Sequence, residues 1–236
     1  MNSLCFTFQA DSALRLPLAY NALVQGALYA AWRERFPELH DIGFGDGTRR
    51  FRFFTFGPLR GAYKVEGKEI LFRGRVTLEV RSSSPDLMEA LAAYYLGRGY
   101  LRLGHRELPL TGLETADRLL FFSTARIDML SPVTVHETLA EGRTVCYAPD
   151  AERFLPLLTG NLDAKLRAAE MSAPPVLGLR PQKSTLRKRV TLFKGIYITG
   201  YMGSFELEAD PEVIALLYYT GLGDRNSQGF GMFRIQ

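Results

Sequence analysis

One stretch of the chain occurs twice, and that repeat constrains the fold more than any other feature. GRVTLEVRSSSPDLMEALAAYYLGRG, residues 74–99, is answered by GSFELEADPEVIALLYYTGLG, residues 203–223. Each copy runs from a glycine through an alternating strand to a Ser-Pro or Asp-Pro helix start. Each then continues as an apolar helix that ends in Tyr-Tyr before a glycine pair. Aligning Pro85 with Pro211 separates the copies by 126 residues, a whole-domain repeat rather than a solenoid period. A chain of 236 residues accommodates two such domains.

The remaining elements follow from periodicity and punctuation. SLCFTFQA alternates Leu4, Phe6 and Phe8 with polar neighbours and predicts a strand. Pro17 is expected to open a helix through PLAYNALVQGALYAAWRERF, because proline suits a first helical turn. RRFRFFTFGPL predicts a strand, GKEILFRGRVTLEVRS two strand segments around Gly74, and YLRLGHRELPLTGL a further strand. SPDLMEALAAYYLGRG predicts a helix with Ser84 as N-cap, Pro85 at its first position and Gly97 or Gly99 at its end. In the second half, RLLFFSTARIDMLSPVTV is strand-like. DAERFLPLLTGNLDAKLRAAE is helical with Asp150 as N-cap, Pro174 and Pro175 break the chain, and RKRVTLFKGIYITGYMGSFELEAD gives strands before the last helix.

Each half therefore has the order β-α-β-β-α-β. The expected fold is α+β: two tandem ferredoxin-like, RRM-like domains with helices on one face of each antiparallel sheet. The boundary is expected within TGLETADR, giving domains 1–115 and 116–236.

Composition narrows the function classes. The formal charge is +4 and the pI about 9.1, which permits an anionic partner. The cations are unevenly placed: residues 179–194 hold Arg180, Lys183, Arg187, Lys188, Arg189 and Lys194 with no acid. Such a run is either a solvated face or a phosphate-tracking loop and strand. Cys5 and Cys146 lie far apart in no metal spacing, which points to a reduced cytoplasmic setting. The sequence calls for no metal and no cofactor. The N-terminus does not read as a signal peptide, and no apolar stretch approaches the ~20 residues of a membrane span.

GLGDRNSQGFGMF, residues 221–233, is the most distinctive motif. Gly221/Gly223 and Gly229/Gly231 flank Asp224, Arg225, Asn226, Ser227 and Gln228. It is not a P-loop, which would end in Gly-Lys-Ser/Thr. Nor is it a dinucleotide fingerprint, since Asn226 takes the third glycine's place and the segment follows a helix. On residue chemistry alone it is either a helix C-cap with a bulged strand or a backbone nest able to meet phosphate. The aromatic consensus of RNA recognition motifs is missing, so base stacking across an open sheet is not expected.

This segment resembles the glycine-rich signature of the CRISPR repeat-processing endoribonucleases, members of the repeat-associated RNA-binding superfamily. YNALVQGALYAAW resembles that family's first helix, and ELHDIGF with RFFTFGPL its histidine segment and Phe-Thr-aromatic strand. LSPVTV resembles the short motif opening its second domain, and KGIYITGYMGSFELEADPEVIALLYYTGLG the approach to the signature. The resemblance implies two ferredoxin-like domains. It also implies a metal-independent endoribonuclease that cuts CRISPR precursor RNA within its repeats, leaving a 2′,3′-cyclic phosphate and a 5′-hydroxyl.

It further implies roles for particular residues. The family's general acid/base histidine corresponds to His40, a choice that suits the near-neutral pKa of imidazole. The tyrosine of the first helix corresponds to Tyr29. Arg52 stands where some members carry a lysine; arginine cannot give up its proton, so its role is limited to stabilising phosphate charge. Arg49 and Arg50 are close enough in sequence to share that role. RNA contacts are expected from the basic run (Lys183, Arg187, Lys188, Arg189, Lys194) and from the polar bridge (Arg225, Asn226, Ser227, Gln228). The loop GFGDG, residues 43–47, is expected to order on RNA. His105 and His136 match no motif and read as exposed strand histidines. Members lacking the catalytic histidine bind RNA without cutting it, so a non-cleaving RNA-binding subunit of a multisubunit CRISPR effector complex is the alternative. A two-domain scaffold is the third reading. A homodimer is compatible with each of them.

Overall fold

The computed structural model describes residues 1–38, 43, 50–115 and 119–236. The first half runs β1 (Ser3–Pro17), α1 (Asn21–Trp32), β2 (Phe54–Phe56), β3 (Arg60–Glu66), β4 (Glu69–Ser82), α2 (Pro85–Arg98), β5 (Tyr100–Leu103) and β6 (Arg106–Thr115). Its antiparallel sheet has the order β2-β4-β1-β6-β5, with β3 also on β4. β2 pairs with residues 80–82 of β4, and β3 with residues 69–77, so the two are successive pieces of one edge.

The second half runs β7 (Thr124–Met129), β8 (His136–Thr138), β9 (Thr144–Cys146), α3 (Phe154–Ala168), β10 (Gly178–Pro181), β11 (Arg187–Phe193), β12 (Ile196–Met202), β13 (Ser204–Glu208), α4 (Pro211–Thr220) and β14 (Phe233–Ile235). Its main sheet is β10-β13-β7-β14, while β8–β9 and β11–β12 are separate hairpins. Without those two hairpins the second half is the βαββαβ unit expected from the repeat. The first half is the same unit with its second strand split into β2 and β3 and with β5 added at the far edge, and the fold is a tandem ferredoxin-like one.

Two cores follow from the alternation of the strands. Leu4, Phe6 and Phe8 of β1 pack with Val24 and Leu28 of α1 and with Leu87 and Leu91 of α2. The Trp32 indole N–H donates to the Leu87 carbonyl at 2.7 Å, so α1 and α2 are also tied by a buried hydrogen bond. In the second half Ile127, Phe205 and Leu207 pack with Phe154, Leu158, Val213 and Leu217. Burying each such side chain stabilises by about 1.5–3 kcal/mol.

The repeated helices begin as their sequences direct. The Ser84 hydroxyl accepts from the Leu87 N–H, and Gly99 at φ 75° donates to the Tyr95 carbonyl at 2.8 Å. Asp210 accepts from the Glu212 N–H at 2.9 Å.

Elsewhere tertiary pairing overrides the local signals. Pro17 does not open α1; it is the last residue of β1. Leu14 and Leu16 are buried and pair with Phe72 and Ile70, so the strand continues to the proline and the helix starts at Asn21. Asp150 does not cap α3, which begins at Phe154 with no side-chain cap. Gly74, at φ 69°, is a kink within one long β4 rather than a break between two strands. YLRLGHRELPLTGL is a hairpin turning at Gly104 and His105.

Candidate functional site

The aromatic run before β2 is divided between the two cores. Phe54 and Phe56 are buried in the first core, while Phe53 is buried in the second with Phe51 packed beside it. The reversal is made at Phe53, which sits at φ 51°. A bulky residue there is an outlier, and strain of this kind tends to collect at functional sites. The consequence is local: Arg50 and Arg52, interleaved with these rings, reach the seam between the halves.

A cavity of about 370 Å³ opens at that seam. The first half contributes Arg50, Phe51, Arg52, Phe53 and Phe54. The second contributes His136, Asn161, Lys165 and residues 223–228 of the glycine-rich segment. The sequence-predicted Arg50, Arg52, Arg225, Asn226, Ser227 and Gln228 are therefore brought together. The Arg52 guanidinium donates to the Arg50 carbonyl at 3.2 Å. Tyr29, on α1, stands with its ring 5.7 Å from Phe54, one of the wall residues.

His40 and Arg49 lie outside the described residues, as does most of the 43–47 loop. Gly43 is described, and it abuts Arg52. A Cβ at Gly43 would come within 2.7 Å of the Phe51 carbonyl oxygen and 3.2 Å of Arg52 Nε, and φ there is +62°. The Gly43 backbone thus lies against Arg52, three residues after His40 in sequence.

The glycine-rich segment is held by its own side chains. Asn226 Nδ2 donates to the carbonyls of Leu222 and Phe230, both at 3.2 Å. Its Oδ1 accepts from the Lys165 ammonium at 3.0 Å, and the same ammonium donates to the Gly221 carbonyl at 2.7 Å. Lys165 is only 1 % exposed. Burial pushes its pKa down to about 7, with Asp224 opposing the shift. Gly231 is required sterically, since a Cβ there would fall 2.0 Å from the Leu222 carbonyl oxygen at a φ of 76°. Arg225, at φ 60°, turns toward the cavity beside Gln228.

Sequence reasoning missed His136, Asp224, Asn161 and Lys165 as site residues. His136 is not an exposed strand histidine but a half-buried one in the cavity wall. Its backbone N–H donates to Asp224 Oδ2 at 3.0 Å, and Asn161 donates to Asp224 Oδ1 at 2.8 Å. The His136 Nδ1 lies 2.8 Å from Asp224 Oδ2. The approach is too poorly aligned to count as a hydrogen bond, and Nδ1 has no hydrogen-bond partner among the described residues. For Lys165 and Asn161 a signal existed. Phe154, Leu158, Asn161, Leu162, Lys165 and Leu166 form the buried stripe of α3, so both polar residues occupy core positions of an amphipathic helix.

The basic residues divide differently. Lys183, Arg187, Lys188, Arg189 and Lys194 do not line the cavity; all are exposed on the turn before β11 and on the β11–β12 hairpin. Near its tip the hairpin buries Phe193 and Ile198 against Phe230 of the glycine-rich segment, with Ala22 of α1 beside them. His105 is exposed in its turn. Among the described residues no three His, Cys, Asp or Glu side chains are grouped to hold a metal ion, and no helix is long and apolar enough to cross a membrane.

Comparison with known proteins bears on this arrangement. Residues 116–235 match the family described as CRISPR associated protein Cas6, C-terminal. A CRISPR-associated endoribonuclease Cas6 of Pyrococcus furiosus is 23% identical over 96% of this chain and 86% of its own length. The CRISPR-associated endoribonuclease Cas6 1 of Methanocaldococcus jannaschii is 26% identical over 95% and 89%. Among solved structures, a Cas6-related protein from Pyrococcus furiosus superposes with a TM-score of 0.86 at 15% identity, covering 100% of this chain and 98% of that one. A RAMP protein described as binding different RNA substrates gives 0.85 at 18% identity, with both chains covered in full. The matched family spans the whole second half, including the glycine-rich segment and the hairpin that rests on it, and on that ground the chain belongs to the Cas6 family of CRISPR-associated proteins.

Proposed function

We propose that the protein is an endoribonuclease that cuts CRISPR precursor transcripts within their repeats. The observation that carries the reading is the convergence at the seam. Arg50 and Arg52 are delivered there by the turned-over aromatic run, Gly43 abuts Arg52, and the glycine-rich segment forms the opposite wall.

The chemistry this set can support needs no oxidant and no second substrate. A base removes the 2′-hydroxyl proton, and O2′ attacks phosphorus. The P–O5′ bond breaks, and an acid protonates the leaving oxygen. The products are a 2′,3′-cyclic phosphate and a 5′-hydroxyl. In this reading His40 is the general acid or base and Tyr29 assists it. Arg52, with Arg49 and Arg50 nearby in sequence, stabilises charge on the phosphate, which is the only role a guanidinium can take. Arg225, Ser227 and Gln228 offer polar contacts to RNA from the cavity wall, while Asn226 keeps that wall in shape. Lys183, Arg187, Lys188, Arg189 and Lys194 neutralise RNA phosphates along the exposed hairpin. The four glycines, Gly221, Gly223, Gly229 and Gly231, let the segment turn tightly enough to form the wall. In this reading the half from about residue 116 onward is the RNA-holding domain, and the half before it bears the reacting residues.

The test is cleavage of the cognate repeat RNA by purified protein in EDTA, repeated with His40→Ala. The expected result is a single cut by the wild-type protein and its loss in the variant. RNA bound but left intact by the wild-type protein would assign it instead to a non-cleaving role. A variant that cuts as fast as the wild type would remove His40 from the mechanism.

A further inference from the structure

The glycine-rich segment spends most of its polar groups on protein rather than on solvent. Inside the second half, Asn226 is fixed on three sides by Lys165, Leu222 and Phe230. Toward the first half, the segment offers backbone acceptors, and α1 fills them. Asn21 Nδ2 donates to the Gln228 carbonyl at 3.0 Å, and Gln25 Nε2 donates to the Ser227 carbonyl at 2.9 Å.

Two steric facts fix the same junction. A Cβ at Gly229 would lie 2.6 Å from the Phe56 ring and 2.7 Å from Asn21 Nδ2, so α1 and β2 approach this backbone more closely than any side chain allows. Phe230 is fully buried against Phe193 and Ile198, with Ala22 of α1 beside them. One face of α1 is thus clamped near its N-terminus. Tyr29 lies two turns further along the same helix, and the loop carrying His40 follows it in sequence.

We infer that the glycine-rich segment is a latch by which the second half sets the position of α1, with Asn21 and Gln25 as its positioning residues. Lys165 and Asn226 stiffen the latch from behind. On the reading that Tyr29 acts on RNA, the latch aligns it with the phosphate. Its effect therefore falls on the rate of the chemical step rather than on RNA affinity. The geometry makes this economical: two side-chain amides on successive turns read two successive carbonyls, and neither needs to touch RNA.

The test is the double variant Asn21→Ala, Gln25→Ala in the full chain. Alanine is the best helix former, so α1 itself is not weakened by the change. Two readouts are taken: native-state hydrogen exchange of the α1 amides, and single-turnover cleavage with repeat-RNA affinity measured alongside. Faster α1 exchange is expected despite the higher helix propensity. Cleavage at saturating RNA is expected to fall by about 10–100-fold, the scale of a misplacement near 1 Å, with Kd nearly constant. Gln25→Glu, with Asn21 intact, loses the donor but keeps the shape and is expected to resemble the loss of Gln25. Gln25→Lys, which restores a donor of similar reach, is expected to recover part of the rate.

Unchanged α1 exchange would overturn the latch. A rate that falls only in proportion to affinity would overturn it as well, by making these residues RNA contacts. If the wild-type protein does not cut RNA at all, the enzymatic reading fails, and the exchange arm alone then decides the latch.

Discussion

Removing the Lys165 ammonium gives a stability deficit that should grow with pH, against the usual expectation for a missing cation. In Lys165→Met the Gly221 carbonyl and the Asn226 side-chain oxygen are left without their donor in a buried place. Each buried acceptor left unsatisfied costs about 1–3 kcal/mol, and the apolar replacement recovers part of that by abolishing the burial of charge. A net destabilisation of about 2–4 kcal/mol near pH 7 follows.

The pH dependence has a definite sign. The folded pKa is about 7, against an ordinary value of 10.5. Between those values the unfolded chain holds a proton at Lys165 that the folded chain does not, so wild-type stability gains up to about 1.4 kcal/mol per pH unit as pH rises through the window. Below pH 7 both states are protonated and the gain is gone. The variant has no such dependence. Denaturant unfolding of both proteins at pH 6, 7.5 and 9 should show a gap that is flat up to about 7 and about 2–3 kcal/mol wider by pH 9. A gap that stays constant or narrows with rising pH would refute the desolvation of Lys165.

Three further outcomes follow from the same geometry. Gly231→Ala forces a Cβ to 2.0 Å from the Leu222 carbonyl at a φ of 76°, and should cost more than about 3 kcal/mol or prevent folding of the second half, read by denaturant unfolding. Arg81, 2 % exposed, donates to the Phe233 carbonyl at 2.7 Å, and its guanidinium carbon lies 3.8 Å from the centre of the Tyr218 ring. Arg81→Ala should destabilise by about 3–5 kcal/mol in the same assay, with little recovery in Arg81→Lys, which cannot stack as a planar fork. Lys188→Ala with Arg189→Ala should weaken binding of RNA, measured by titration at several salt concentrations. The salt slope of affinity should become shallower by about 0.7 for each phosphate that is no longer neutralised.

What the sequence disclosed was local. The Ser84–Pro85 and Asp210–Pro211 starts, the Gly99 stop and the alternation of β1 each involve residues within a turn or two of one another, and the structure repeats them. The repeat then constrained the topology, because two similar strand–helix units at that separation leave little besides a tandem arrangement.

The features that stayed hidden depend on distant partners. Pro17 is a helix-starting residue by propensity, yet β4 draws Leu14 and Leu16 into the sheet first. RFRFFTF reads as one continuous strand, but Phe53 serves the core of the other half and breaks it. In the candidate site, Arg50, Arg52 and the polar bridge are legible through a motif, whereas His136, Asp224 and Lys165 meet only when three elements of the second half assemble. Lys165 comes closest to being legible, as a lysine on the apolar stripe of α3 whose burial demands acceptors that the glycine-rich segment supplies.

On the proposed function, the 2′-hydroxyl of the repeat RNA is the nucleophile and groups of this chain activate it. This is tested most directly with two repeat RNAs that differ by a single 2′-deoxy substitution at the nucleotide before the mapped cut. The unmodified RNA should be cut in EDTA to a 2′,3′-cyclic phosphate and a 5′-hydroxyl, and the 2′-deoxy RNA should be bound as tightly and remain intact. Cleavage of the 2′-deoxy RNA at the same position, or products ending in a 3′-hydroxyl and a 5′-phosphate, would exclude attack by the 2′-hydroxyl.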